Sequence, residues 1–530
     1  MKRISLLCLL ALLQAFAHAQ FKTVAETPSF PEPESGHAKI LQLKNGNTAI
    51  LRLTNRNGID ITIYSPEHKL TVRKHHEPSF QKLKGGRVNA IFEANGGITM
   101  LISEVQDRLP VLYRLVFDGS TGDVEREEKI AEAERYAFKD IRWIPEFDPV
   151  NSFAVSKDPA SDNYAVFIRR DRTELADKNQ MEVVLYNGQH LETGRAFYQP
   201  PYKYGSLNYL DMAVLGTDRV CILGFAYNQI AVSDREGQLV MLTLTNGERR
   251  MKAELLDLPD NRIADSAIVR FNPTTKKLML LGTSHIEDAD PQPYNGFLAI
   301  IDPYKPQTDR FVDIIPTEAD TQKKKLYGAK ETFTGMPQDL IINNDGSFSV
   351  IYEEVTNELH TPLDAAAYTY YLLDNLAVAS FDVSGKLLST SFIPKKQYLK
   401  NTAYPSFYMA HRNLEAQQFV MGDQYRSFVC MPLKDKLYVF MNDAEQNTHP
   451  EKGEIAQLRV ANGQAYSYVT GTPAPERQPF FGKLKPEETH ALAVFNIGNY
   501  NRDTNTYVTL KLEVTRKGKV AKLVWMTPGE

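Results

Sequence analysis

Residues Ile59 to Val72, IDITIYSPEHKLTV, alternate apolar and polar side chains, break at Ser65-Pro66-Glu67-His68, and resume. Period-two alternation interrupted by turn-forming residues predicts a β-hairpin. The pattern recurs in VLYRLVFDGSTGDVERE, MEVVLYNGQHLETGRA, LVMLTLTNGERRMKAEL, FLAIIDPYKPQTDRFVDI, LAVASFDVSGKLLSTSF, IAQLRVANGQAYSYV and VTLKLEVTRKGKVAKLVW. Most of these follow a further hairpin, such as AKILQLKNGNTAILRLT, VNAIFEANGGITMLISE or DLIINNDGSFSVIYEE. Two successive hairpins make a four-stranded antiparallel unit, and the units repeat at roughly 55 to 80 residues. Gly122, Gly188, Gly247, Gly385, Gly463 and Gly518 fall at the turns, where positive φ is predicted.

A single four-stranded sheet cannot bury both of its faces. Arranged in a ring, each sheet is covered by its neighbours and exposed edges stay short. The predicted fold class is therefore all-β, a β-propeller of seven or eight four-stranded antiparallel blades. Tandem β-sandwiches are the alternative that the same strands and turns allow. Over nearly its whole length the chain resembles the β-propeller superfamily in general, without the motifs of one named family. VFDGSTGDV (Val116 to Val124) is similar to the turn of quinoprotein-type blades, and FDVSGKL (Phe381 to Leu387) is a weaker copy. The tryptophan that closes each such repeat is missing from a chain with two Trp, so no quinone cofactor is expected. Two segments break the rhythm. Pro316 to Gln338 reads as a basic excursion between blades, and Leu359 to Asn375 as a long loop carrying a helical turn.

The first residues add a destination. Lys2 and Arg3 precede the apolar run Ile4 to Leu13, and Ala17-His18-Ala19 places small residues where a signal peptidase cuts. This predicts a signal peptide over 1–19, a Pro/Glu-rich lead-in over 20–36 and one propeller domain over 37–530. The lead-in opens with strand-compatible residues at Phe21 to Val24. The expected location is outside a bacterial-type cytoplasm, periplasmic or extracellular, with no transmembrane segment. Loss of Lys2 and Arg3 takes the net charge from −4 to about −6, with the signs interspersed, and leaves no basic footprint for nucleic acid. Cys221 and Cys430 lie in apolar runs and are expected to be buried thiols, although an oxidising compartment would permit a disulfide.

Candidate chemistry is sparse. The chain has no G-x-S-x-G, H-E-x-x-H, Walker or G-x-G-x-x-G string. His285, Glu287, Asp288 and Asp290 follow a strand and could offer oxygen ligands to Ca²⁺, the one cofactor the pattern suggests. His75-His76-Glu77 is a poorer set, because adjacent side chains on a strand point apart. Glu104, Glu353 and Glu354 end corresponding second strands, in LISEV and VIYEEV. Such carboxylates could serve as acid and base on a glycoside, or be rim charges. Tyr198, Tyr202, Tyr204 and Tyr209 crowd one stretch whose flat rings suit stacking on sugars or peptides, or packing between blades. The expected function is a binding or scaffold module for a protein, peptide or glycan. A carbohydrate-active enzyme and a metal-stabilised envelope component are the rivals, and whether the chain is an enzyme stays open. An enzyme would need a deep axial pocket with converging carboxylates, whereas a scaffold can have a filled axis.

Overall fold

The structure, a computed structural model, describes residues 21–529 outside 55–57, 81–85, 136–151, 171–180, 199–203, 205, 229–236, 260–261, 287–294, 361–367, 401–406, 411–413, 421, 434–435, 449–453, 487 and 517. The signal peptide expected over 1–19 lies outside the described residues.

The hairpins assemble into eight antiparallel sheets among the described residues, which we number as blades. Blades 1 to 4 span 37–76, 87–132, 153–198 and 206–256. Blades 5 to 8 span 262–313, 336–393, 428–479 and 488–527. In blades 1 to 7 the strands run in sequence order, which we letter a to d. From blade 7 through blade 8 and on to blade 5 the a strands of successive blades touch one another around the axis, while d strands such as Leu70–His76 and Val124–Glu132 are largely exposed. Blade 8 draws only its strands a to c from the chain's end. Its d strand is Lys22–Glu26, from the lead-in.

Period-two alternation gives every blade two apolar faces. In blade 8, Val508, Leu510 and Leu512 pack against Ala38 and Ile40 of blade 1, whereas Tyr507 packs against Phe440 and Phe480 on the blade 7 side. Eight buried clusters result, each joining one pair of neighbouring blades, the last pair being blades 8 and 1. A sandwich pairs a sheet on one face only, so tandem sandwiches are excluded. The chain is an eight-bladed β-propeller.

Closure of the ring is both covalently remote and chemically specific. Lys22 pairs with Thr527 and Glu26 with Val524. Trp525 Nε1 donates to Thr48 Oγ1 of blade 1 at 3.0 Å, and Gln42 Nε2 donates to the Asn499 and Thr506 carbonyls at 2.8 Å each. On the opposite face of blade 8, Lys511 lies 3.0 Å from both Glu488 and Glu513, and Lys522 reaches Glu513 at 3.1 Å and Glu26 at 3.4 Å. Burial pushes the Glu513 carboxyl upward, but the Lys511 and Lys522 ammonium groups outweigh it and hold its pKa at about 2.

The connections divide between two sides. Turns from a to b and from c to d are short and lie on one side, the turn face. Asp118 Oδ1 accepts from the Ser120 and Thr121 amides at 2.9 and 2.6 Å, and Asp382 Oδ1 from the Ser384 and Lys386 amides at 2.9 Å. Gly122, Gly247 and Gly385 take the positive φ expected of them, as does Gly518 in the b-to-c turn of blade 8 on the other side. Gly188 and Gly463 do not: His190 adopts φ 65° in the blade 3 turn, and Gly463 opens a strand after a short 3-10 turn at Val460–Asn462.

The b-to-c and d-to-a connections lie on the other side, the loop face, and most are longer, although strands b and c of blades 1, 2 and 8 are joined by only two or three residues. The excursion at Pro316 to Gln338 contains a helix, Thr317–Tyr327, that buries Ala319 against blade 6. Leu359 to Asn375 is corrected: strand b of blade 6 runs from Phe348 to His360 and strand c from Tyr368 to Phe381, an elongated hairpin. The aromatic run Tyr368-Thr369-Tyr370-Tyr371 favours strand over helix, which the proline and alanines upstream had suggested. Cys221 is buried in blade 4 and Cys430 half-buried in blade 7, and both thiols are free.

Candidate functional site

The axis is occupied by the chain itself. Between blades 6 and 7, residues 407–410 and 414–420 are described, and they form a crossing segment that touches inner strands on several sides of the ring. Phe407 to Ala410 are buried, and Arg270 Nη2 of blade 5 donates to the Ala410 carbonyl at 3.0 Å. On the far side, the Ile91 amide of blade 2 donates to the Leu414 carbonyl at 2.7 Å, and Arg87 pairs with Glu415 at 2.8 Å. Gln417–Gln418 then adds to strand a of blade 1. Inner strands of blades 5, 2 and 1 therefore grip one segment from different sides. Phe407 and Ser427 bracket it in left-handed conformations, φ 58° and 70°, which cost an L-residue about 1–2 kcal/mol each. Beneath the segment, burial pushes the Lys39 ammonium down to a pKa of about 8, with Glu415 opposing.

A cleft lies off this axis, between blades 6 and 7, with a volume of about 730 Å³. Its floor begins with a fault in the blade 6 ladder. Strands b and c pair regularly up to Glu353 and Leu376, then resume at Val355 and Leu373, so Glu354 faces both Asp374 and Asn375. Such a β-bulge re-aims side chains that would otherwise alternate. Glu354 Oε1 accepts from Lys323 Nζ at 2.8 Å and the Thr334 amide at 2.9 Å, and Oε2 accepts from Asn375 Nδ2 at 2.7 Å. Tyr327 Oη, from the helix, donates to Asn375 Oδ1 at 2.9 Å. Across the cleft, Asn447 Nδ2 donates to Asp443 Oδ1 and the Ala456 carbonyl at 2.8 and 3.0 Å, which fixes the blade 7 wall.

Behind the floor lies a fully buried ion pair. Lys395 Nζ bonds one oxygen of Glu353, and Tyr408 Oη of the crossing segment donates to the other. Tyr408 and Ser427 share a further hydrogen bond of 3.0 Å. The segment that fills the axis is thus bolted to the strand that floors the cleft.

No protein-family model matches this chain, and no curated protein does. Among solved structures it is similar to a prolyl endopeptidase at 12% identity and TM-score 0.40, over 91% of this chain and 55% of that one. The chain thus spans little more than half of that endopeptidase's length. It is also similar to the Dos1 propeller, at 10% identity and TM-score 0.41 over 95% of each chain. A third structure, the polysaccharide lyase Uly1, shares 11% identity at TM-score 0.40 over 86% of this chain and 92% of its own. Likeness at this level concerns strand arrangement and transfers no residue role.

The residues singled out from sequence are scattered. Glu353 and Glu354 are not rim charges: both are buried and bonded, because the bulge turns one into the cleft and leaves the other against Lys395. Glu104 sits in blade 2, four places around the ring from blade 6. Burial pushes its carboxyl to about 7, and its Oε1 has no partner among the described residues. Tyr198 and Tyr204 are buried between blades 3 and 4, Tyr204 Oη donating to Gln238 at 3.1 Å, and Tyr209 stacks on Phe167. Tyr202 lies outside the described residues, as do Glu287, Asp288 and Asp290. His285 bonds Asp265 at 2.7 Å. Sequence reasoning missed Asp374, Asn375 and Lys323. The first two had a signal: the polar pairs Glu353-Glu354 and Asp374-Asn375 interrupt alternation at one height of two paired strands.

Proposed function

We propose that this chain is an exported β-propeller that acts as a binding or scaffold module and receives a protein, peptide or glycan on its loop face. The observation that carries this reading is the occupied axis. An axial enzyme needs an open pocket with carboxylates converging on one bond. Here the crossing segment takes that space, Glu104 and Glu353 stand on opposite sides of the ring, and Glu353 is already held by Lys395 and Tyr408. The open polar volume is the cleft between blades 6 and 7, of a size suited to a small ligand or a few residues of a larger one.

Calorimetric titration of the protein lacking residues 1–19 with envelope polysaccharides and with peptides tests this, with products followed by mass spectrometry. Saturable heat without product is expected. A second reading, carbohydrate chemistry, rests on Glu104, whose pKa of about 7 suits a general acid. Product formation abolished by Glu104→Gln would establish it in place of the binding role. Export is tested separately by intact mass, which should begin at Gln20; a soluble product retaining Met1 would remove that part of the reading.

A further inference from the structure

The charges around the cleft do not cancel once internal commitments are counted. Lys323 Nζ donates to Glu354 and to the Thr332 carbonyl at 3.0 Å, and Lys395 is bound to Glu353. Glu354 is saturated by Lys323, Thr334 and Asn375. Uncommitted groups remain on the lining. Asp374 Oδ1 is buried with no hydrogen-bond partner, and Glu331 and Glu454 stand exposed at the mouth. Against these, Lys396 is the one lining cation without a side-chain hydrogen bond or ion pair among the described residues. Three carboxylates thus face one free ammonium.

We propose that this cleft recognises a primary ammonium carried by a polypeptide, a lysine side chain or a chain N-terminus, with Asp374 as the anchoring carboxylate. The inference rests on the binding-module reading and names its ligand chemistry. A buried carboxylate oxygen without a partner is unfavourable, and a ligand N–H supplies the missing bond. Asp374 is where the bulge places it: in an unbroken ladder it and Asn375 would point to opposite faces of the blade. A lysine fits better than an amino sugar because the recessed oxygen must be reached by a slim stem. Tyr327, Ile455 and Ala456 line the same cleft and offer apolar contact for methylenes.

The probe is fluorescently labelled tetralysine amide, read by anisotropy at low and physiological salt, beside its ε-acetylated counterpart and tetra-glucosamine. Acetylation is expected to weaken binding at least tenfold, and Asp374→Asn to weaken it about tenfold. Glu331→Gln with Glu454→Gln should weaken it two- to threefold, and Lys396→Ala should leave it unchanged or tighten it. Glu125→Gln, on the exposed d strand of blade 2, controls for general attraction of a polycation and should have no effect. Thermal melts establish that each variant is folded, and the mouth double variant keeps the test alive if Asp374→Asn does not fold. Equal binding of the acetylated peptide, an unaffected Asp374→Asn, or binding of tetra-glucosamine alone overturns the proposal. If tetralysine does not bind while a neutral glycan or peptide does, the ammonium site falls and the binding-module reading survives. If no ligand of any charge binds the folded protein, both fall.

Discussion

The two sides of the ring reverse strands in different ways. On the turn face, reversal is local: Asp118 and Asp382 cap their own turns, and glycines such as Gly385 (φ 80°) supply the left-handed residue. On the loop face, blades 2 and 8 also turn locally between strands b and c, but the long connections depend on distant partners. Thr334 is held by a carboxylate 20 positions away, and the crossing segment by arginines of blades 2 and 5. The turn face therefore carries its instructions within five or six residues, while the long connections of the loop face are specified only once the ring exists. Room for a ligand arises on the second, because connections that need not be short can surround a volume.

The largest effect should come from opening the ring on which both faces depend. Deleting 507–530 removes strands b and c of blade 8, strips Lys22–Glu26 of its partner, and bares the flanks of blades 7 and 1. Loss of soluble folded protein is expected in expression and melting experiments. A truncated protein that keeps most of its melting transition would show that the blades are independent.

Next is the buried pair under the loop face. Lys395→Met leaves Glu353 buried and uncompensated, which should destabilise by about 3–5 kcal/mol in urea unfolding. Adding Glu353→Met should recover much of that loss. If the single variant costs less than about 1 kcal/mol, the pair does not anchor the crossing segment.

A smaller effect follows from pH. The folded pKa of Glu513 lies below its ordinary value of 4.5, at about 2. The associated stability is therefore present above about 4.5 and is lost as pH falls towards 2. We expect about 1–2 kcal/mol, less than the full shift implies because solvent screens part of the interaction. Denaturation midpoints from pH 6 to pH 2.5 should fall more steeply for the native sequence than for Glu513→Gln; parallel curves would discard the assignment.

Smallest is the turn face itself. Gly385→Ala forces a left-handed alanine and should cost about 1 kcal/mol, without changing ligand binding at the cleft. A change in binding would couple the two faces and undo their separation.

This division also explains what could be read from the chain. The blades were legible because alternation and Asp/Asn/Gly turns are local signals, and where they failed the reason was local too. IAQLRV alternates but does not pair as a strand, and Asn187-Gly188 lends its left-handed position to His190. The crossing segment offers no period: Phe407, Tyr408 and Met409 look like any aromatic loop, and their burial comes from the cores between blades 5 and 6 and between blades 6 and 7. Glu353 and Glu354 were visible as a polar pair. Which of them meets Lys395 and which Lys323 depends on a bulge set by the register of a hairpin whose sequence reads as a loop.

The d strand of blade 8 has a consequence for biogenesis. Thr23 Oγ1 and the Met526 sulfur, 503 positions apart, are 3.4 Å apart in the finished ring. The ribosome delivers the chain from its amino end, so Lys22–Glu26 emerges long before the strand it pairs with. Until then it presents an unpaired edge, open to pairing with other chains, and the contact that seals the ring closes a loop of 503 positions. Blades 1 to 7 can condense as they appear. The final seam has to wait for Trp525, so the exposure of the Lys22–Glu26 edge ends only once strand c of blade 8 has been made.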